Sequence, residues 1–488
     1  MAGAEPNVHA IVHQLWSTLD LPPLPADALR LTGPAHTLPS SYHLSLFPPA
    51  AIGATALAAS LIRSHRLNLQ SLSPVSVNTL HAAVEYRSEA FTIVNDAPPA
   101  NLWGPVSGTY ATADDGIVGI HANFPNHAVA ALRILGLPED CTDKDAIAAA
   151  VKRFDAIALE TLASENAAVI YALRTPEAWN ALPAADALPD FPITIRKICD
   201  APAGLPASLK NIANPTSCLQ GLRVAEISRV LAGPIAGRTL AAHGADVLWI
   251  HGPHLPSLPD LDIDTSRGKR STFIDLRDDA GKDTLQTLLA SADVFIQSFR
   301  PGAIAAKGFS PQAVAAMNPS GIIYASLNAF GEAGPWSHRR GFDSMVQLCT
   351  GINASEAEYH ASGEKLKKWP VQALDHTAGY FLALGIIAAL HRRIVDGGSW
   401  EVHVSLAAVA KYITSLGRIP NREGFDRAIG LPRSADSPQV HPFLETRETR
   451  AGVLTAVRHA GHVDGAEVGY RHMPTELGYH EAKWESPS

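Results

Sequence analysis

Residues 219–252 read LQGLRVAEISRVLAGPIAGRTLAAHGADVLWIHG. A β-rich run, Arg223–Ser228, gives way to a helical pattern at Pro234–His243, and a second β-rich run follows at Ala245–His251. The alternation continues through strand-like Arg270–Leu276, Ala292–Phe299 and Gly321–Asn328, with helical patterns at Ala280–Ala290 and Pro311–Asn318 between them. Strands alternating with helices at this spacing predict an α/β fold with a doubly wound parallel sheet. Ligands of such sheets sit beyond the carboxyl ends of the strands. The first of those ends is Ser228-Arg229-Val230-Leu231-Ala232-Gly233-Pro234. Pro234 suits a first helical position, and Gly233 lets a ligand approach the backbone. No GxGxxG follows the strand, which disfavours a nicotinamide cofactor.

Two basic groups lie beside other predicted strand ends. Arg267-Gly268-Lys269-Arg270 precedes the third strand, and Arg300-Pro301-Gly302, with Lys307 after it, follows the fourth. They suit phosphates, with Lys as a point charge and Arg as a fork. The alternative is a solvated basic face. Farther on, Ala373-Leu374-Asp375-His376-Thr377-Ala378-Gly379-Tyr380 runs into an apolar segment of small residues that reaches Arg392. Asp before a helical run reads as an N-cap. An N-cap carboxylate stays ionised and points out of the helix end, which is what a nucleophilic carboxylate needs.

The 488 residues suit two or three domains. A net charge of −8 argues against a nucleic-acid footprint. Four dispersed cysteines, Cys141, Cys199, Cys218 and Cys349, make neither a disulfide framework nor a zinc site. No metal-ligand spacing occurs among the histidines. The start carries no signal-peptide pattern, and charge interrupts the apolar stretches before they reach membrane-spanning length. The expectation is a cytoplasmic protein with no membrane partner.

Upstream, residues 1–99 read as an N-terminal helical segment, with helices near His9–Leu19 and Ala51–Arg66 and an alternating stretch at Val75-Ser76-Val77. Residues 100–200 read as a small α/β domain. Its hairpin turns at Asp114-Asp115-Gly116, helices follow near His127–Leu135, Asp145–Ala163 and Pro176–Ala184, and Phe191–Ile195 closes it. Residues 201–217 read as a linker, 218–410 as the large Rossmann-like domain, and 411–488 as a tail completing it.

Six ordered segments say more. They are 219–252, SRGKRSTFIDLR (266–277), ADVFIQSFRPGAIAAKGF (292–309), NPSGIIYASLNAFGEAGPW (318–336), GFDSMVQLCTGI (341–352) and ALDHTAGYFLALGIIAALHRR (373–393). Together they resemble the class III CoA-transferase family, the CaiB/BaiF group. The resemblance implies a CoA-binding large domain and a catalytic carboxylate at Asp375. It implies a CoA site lined by Arg229, Val230, Ala232, Gly233, Pro234, Lys269, Arg270, Ser298, Phe299, Arg300 and Lys307. Acyl-CoA and a carboxylic acid would be the substrates, with no tightly bound cofactor and no metal. Residues 106–139 and 175–195 resemble the family's small domain, which normally follows the Asp motif. Residues 56–86 resemble 384–413, a weak internal repeat, and 451–484 resemble the C-terminal segment. The chain therefore reads as a rearranged or fused member with one active centre, either a homodimer or an intrachain pseudo-dimer.

The implied chemistry is attack of Asp375 on an acyl-CoA, through an anhydride and then an aspartyl-CoA thioester. Backbone N–H groups near Thr377 and Ala378 are expected to meet the oxyanion. A racemase of the same family needs a His before Asp343, where Phe342 stands, so His376 would have to substitute. A CoA-binding pseudoenzyme is the third reading.

Overall fold

A computed structural model describes residues 5–97 and 102–486. At its centre is a seven-stranded sheet in the order Arg270–Phe273, Asp246–His251, Arg223–Ile227, Val294–Gln297, Ile323–Asn328, Ser399–Ser405, Ile193–Cys199. The first six strands are parallel and the last is antiparallel. The inner strands are buried along their length, as β-branched and apolar runs between two helical layers must be. From Arg223–Ile227 the chain moves outward in one direction for two strands, then returns to the other side at Val294–Gln297. That reversal sets the loops after these two strands side by side, and Arg229 N–H donates to Ser298 Oγ at 3.4 Å. It is the crevice that the alternation predicts.

Ile193–Cys199 does not close the small unit, as the sequence suggests, but pairs with Ser399–Ser405 at the edge of the large sheet. Residues 1–99 are likewise not merely helical: Leu29–Thr32 and Val75–Asn78 pair in parallel, and Gly461–Val463 of the tail pairs antiparallel with Val75–Asn78. Elsewhere the tail does lie on the large sheet, where Arg270 donates to Lys483 O and Trp484 Nε1 to Leu288 O.

The internal repeat has a structural counterpart. Helix Phe47–Leu67, strand Val75–Asn78 and helix Thr79–Glu85 match helix Ala373–Asp396, strand Ser399–Ser405 and helix Leu406–Ser415 in order and in strand pairing. The two long helices lie side by side in the same direction, with His65 Nε2 2.9 Å from His391 Nδ1 and Thr55 Oγ1 donating to Tyr380 O. Contacts between corresponding turns of the two helices fit an approximate twofold axis relating the copies. The edge strands are exchanged across it: 193–199 follows the first copy but caps the second, and 461–463 does the reverse.

Both long helices, Leu44–Leu67 and Ala373–Asp396, are long and apolar enough to cross a membrane. The expectation that charge interrupts every such run is corrected here, since residues 31–62, which include most of the first helix, hold no Asp, Glu, Lys or Arg. Their apolar windows are 94% and 100% buried within the protein, so they serve as core helices. Gly379 makes the packing of Ala373–Asp396 possible, because a Cβ there would lie 2.6 Å from Ala232 O and 2.7 Å from Ile235 Cβ.

The small unit has its own core of Val118, Leu132, Ile147 and Leu159. Its hairpin, Gly108–Ala111 with Ile117–Ile120, turns where expected. The single helix expected over Asp145–Ala163 is two, Lys144–Val151 and Ala156–Glu165. The break is held by Ala113 N–H, which donates to Phe154 O.

Candidate active site

The reversal in the sheet and the small unit enclose a cleft of about 210 Å³. Its floor is Asp375, the loop Arg229–Gly233 and the loop Ser298–Arg300. Arg339, Arg340, Gly341 and Phe342 form one wall, and Phe124, Asn126 and His127 of the small unit form the roof. Val230 has φ of 73°, a left-handed conformation that costs a β-branched residue about 1–3 kcal/mol. The strain sits where the loop turns into helix Ala232–Ala242. Ala232 and Gly233 are the first residues of that helix, so their N–H groups have no carbonyl one turn back.

Asp375 is 7% exposed and lies in the first turn of its helix. The N-cap is Gln372, which corrects the expectation that Asp375 itself caps. The capping carboxylate comes from elsewhere: Asp343 Oδ2 accepts from the N–H of Leu374 at 2.7 Å and of Asp375 at 3.0 Å. Gln347 Nε2 holds the other Asp343 oxygen. The surroundings of Asp375 also oppose the ionised form expected from the sequence. Burial, then the Asp343 and Glu89 carboxylates, push its pKa well above the carboxylate range. Burial likewise lifts Asp343 to about 6, against its hydrogen bonds from the helix start.

Thr377 and Ala378 lie past the first turn, where backbone N–H groups are committed within the helix. They are not the oxyanion donors expected from the sequence. His376 points away from the cleft, stacked on Tyr86 with its Nε2 3.3 Å from Glu89 Oε2. Phe342 is stacked on His121 at 3.7 Å.

The cleft is strongly basic. Arg339 is committed to Glu160 at 3.1 Å and lies over Trp336. Arg229 lies 4.3 Å from the Phe124 ring, and Arg300 donates to His338 O. Among the described residues no carboxylate makes an ion pair with Arg229, Arg300 or Arg340. The one acid acting on Arg229 is Asp262, which burial itself pushes up to about 7. His127 is 8% exposed and its Nδ1 has no partner. Burial, with Arg340, Arg229 and Arg300 nearby, pulls its pKa down to about 4, so the ring is neutral at pH 7.

Asp375, Arg229, Val230, Ala232, Gly233, Ser298, Phe299 and Arg300 thus come together around the cleft. Pro234, Lys269, Arg270 and Lys307 do not line it. Pro234 is buried in the helix. Lys269 is fully buried, bound to Glu226 at 2.9 Å and to Pro234 O, and burial pulls its pKa down to about 8. Arg270 forks onto Asp246 Oδ1 at 3.1 and 2.6 Å. Lys307 is exposed at the end of a short 3-10 turn. A basic run has the same local pattern whether it faces ligand, solvent or core, and only packing separates these. Sequence reading did not single out Phe124, Asn126 and His127. The one pointer to them is the small-domain likeness of residues 106–139.

Residues 219–417 match the family model described as CoA-transferase family III. The chain is 31% identical over 252 residues to an acetyl-coenzyme A transferase of Hypoxylon pulicicidum, covering 50% of this chain and 41% of that protein. It is 32% identical over 220 residues to a formyl-CoA:oxalate CoA-transferase of Rhodopseudomonas palustris, covering 43% and 50%. A solved hypothetical protein of Mycobacterium tuberculosis is 31% identical with a TM-score of 0.37, covering 42% of this chain and 57% of that one. The chain spans about half the length of the curated relatives it matches. By its motifs and by this match, residues 219–417 are similar to CoA-transferase family III.

Proposed function

We propose that this chain moves CoA from an acyl-CoA to a carboxylic acid, with Asp375 as nucleophile. The observation that carries the reading is an acid at the sheet's switch point, in a cleft that disfavours its charged form and that also holds Arg229, Arg300 and Arg340, none of them in an ion pair with a carboxylate among the described residues. A carboxylate that is costly to keep ionised gains by becoming a neutral anhydride or thioester. The ionised fraction attacks the thioester carbonyl, releasing CoA thiolate and forming an acyl–aspartyl anhydride. The thiolate attacks the aspartyl carbonyl, which frees the first acid and leaves an aspartyl-CoA thioester. The acceptor carboxylate attacks that thioester, and the released thiolate collects the acceptor's acyl group, restoring Asp375. The Ala232 and Gly233 N–H groups suit the developing oxyanion. Epimerisation has no use for an anionic second substrate, whereas three unpaired cations around the cleft favour transfer.

The test is to incubate the full chain with an acyl-CoA, trap with hydroxylamine or borohydride, and map the product by mass spectrometry. Modification confined to the peptide carrying Asp375 supports the reading, and an unmodified Asp375 sinks it. Asp343 supplies a second check. Asp343→Asn keeps a carbonyl acceptor at the helix start but removes a negative charge that raises the pKa of Asp375. The nucleophile must be ionised, so the acid limb of the pH–rate profile is expected to move to lower pH in this variant. An unmoved limb shows that Asp343 does not set the ionisation of Asp375.

A further inference from the structure

Resting on the transfer reading, we infer that Asn126, His127 and Arg340 form the subsite that holds the acceptor's carboxylate against Asp375, so the first half of the chain completes the site of the second. Helix Pro125–Leu135 begins at the cleft, and its N-cap, Phe124, offers no side-chain cap. Its positive end therefore faces the cavity without an internal anion. The N–H groups of His127 and Ala128 turn back onto Phe124 O, and Pro125 has none, which leaves that of Asn126 for a ligand. Beside it, His127 is buried with a ring nitrogen that no group of the protein satisfies. Such a group calls for an explanation, and a ligand in the cleft is the direct one. Arg340 adds a cation that no carboxylate neutralises among the described residues, and its charge is felt at His127.

Size and charge both point to the acid rather than to the nucleotide of CoA. About 210 Å³ is below the range of roughly 300–1,000 Å³ that encloses a whole drug-sized ligand, so the cleft takes only the reacting end. The reacting end of the donor is a neutral thioester, and the acceptor brings a carboxylate. Once Asp375 is esterified it carries no charge, and the guanidinium groups then attract that carboxylate without opposition from position 375. A neutral imidazole donates one hydrogen bond to it without adding a fixed charge that would retain the product.

The two halves of the reaction, measured separately on the full chain, test this. Exchange of labelled CoA into acetyl-CoA, with no acid present, reads attack by Asp375. Acid-dependent transfer to propionate, oxalate and succinate reads the second half. His127→Gln and Arg340→Gln are expected to raise the KM of the acid roughly tenfold or more, a larger effect than on exchange or on the KM of acetyl-CoA. Loss of exchange together with transfer in a soluble Arg340→Gln protein, or an unchanged acid KM in both variants, overturns the subsite. If His127→Gln does not fold, the half-buried Arg340 decides. Absence of exchange in the unsubstituted chain sinks the transfer reading instead, and is seen before either variant is made.

Discussion

Asp375→Asn is expected to lose turnover by on the order of a thousandfold or more, with no trapped adduct and with CoA binding retained. The amide has the same shape, but it is a poor nucleophile and forms no anhydride. The variant also has a signature that a merely damaged protein lacks. Burial and two neighbouring carboxylates raise the folded-state pKa of Asp375 above its unfolded value. The folded chain therefore holds the proton more tightly than the unfolded one. The stability tied to that proton is fully present below the unfolded pKa and is lost as pH rises through the folded pKa. An amide stays neutral at every pH. Asp375→Asn is thus expected to melt at a higher temperature than the parent, by a margin that widens from pH 5 to pH 8. A lower melting temperature at both pH values contradicts the assigned ionisation state, and an active Asn variant contradicts the nucleophile. Higher stability with lost activity is the usual cost of removing a strained functional group.

Asp264→Ala is expected to destabilise the chain by about 3–5 kcal/mol, read as a lower urea midpoint, without touching the cleft. Asp264 is fully buried, with Oδ2 2.5 Å from Arg238 Nη1 and Oδ1 2.6 Å from Arg267 Nη2. It also accepts from Ser88 Oγ at 2.7 Å and Thr92 Oγ1 at 3.2 Å. Arg267 in turn donates to Val457 O. One carboxylate thereby ties the first copy, the large sheet and the tail. Removing it leaves two buried guanidinium groups without the carboxylate that pairs with both, the costly case for a buried pair. Burial alone would push this carboxyl up, but Arg238 and Arg267 outweigh it and hold the folded pKa well below the usual range. Its contribution is present above the unfolded pKa and is lost as pH falls through the folded one. The gap between Asp264→Ala and the parent is expected to shrink on acidification. A gap that is constant with pH, or smaller than about 1 kcal/mol, shows that the carboxylate is not what joins the three parts.

The large sheet is legible in the sequence because strand and helix periodicities are local properties, and right-handed crossovers leave few ways to order the strands. That is enough to put Arg229–Gly233 beside Ser298–Arg300 and to mark Asp375 as the acid of interest. The protonation of that acid is not legible. It depends on burial and on Asp343 and Glu89, which reach it from other elements. Lys269 and Arg270 show the same limit from the other side. Their basic run reads as a phosphate seat, yet Glu226 and Asp246 neutralise both charges inside the protein.

The repeat between residues 56–86 and 384–413 shows in the sequence, but the exchange of edge strands 193–199 and 461–463 does not. A strand of a few residues carries its alternation and not the identity of its partner. The chain by itself therefore determined the succession of strands and helices, the likeness of residues 219–417 to CoA-transferase family III, and the position of the acid, all encoded by residues near one another along it. The tertiary structure alone decided which charges are neutralised inside and that His127 roofs the cleft over Asp375, because those outcomes arise from contacts between separate elements that no local pattern brings together.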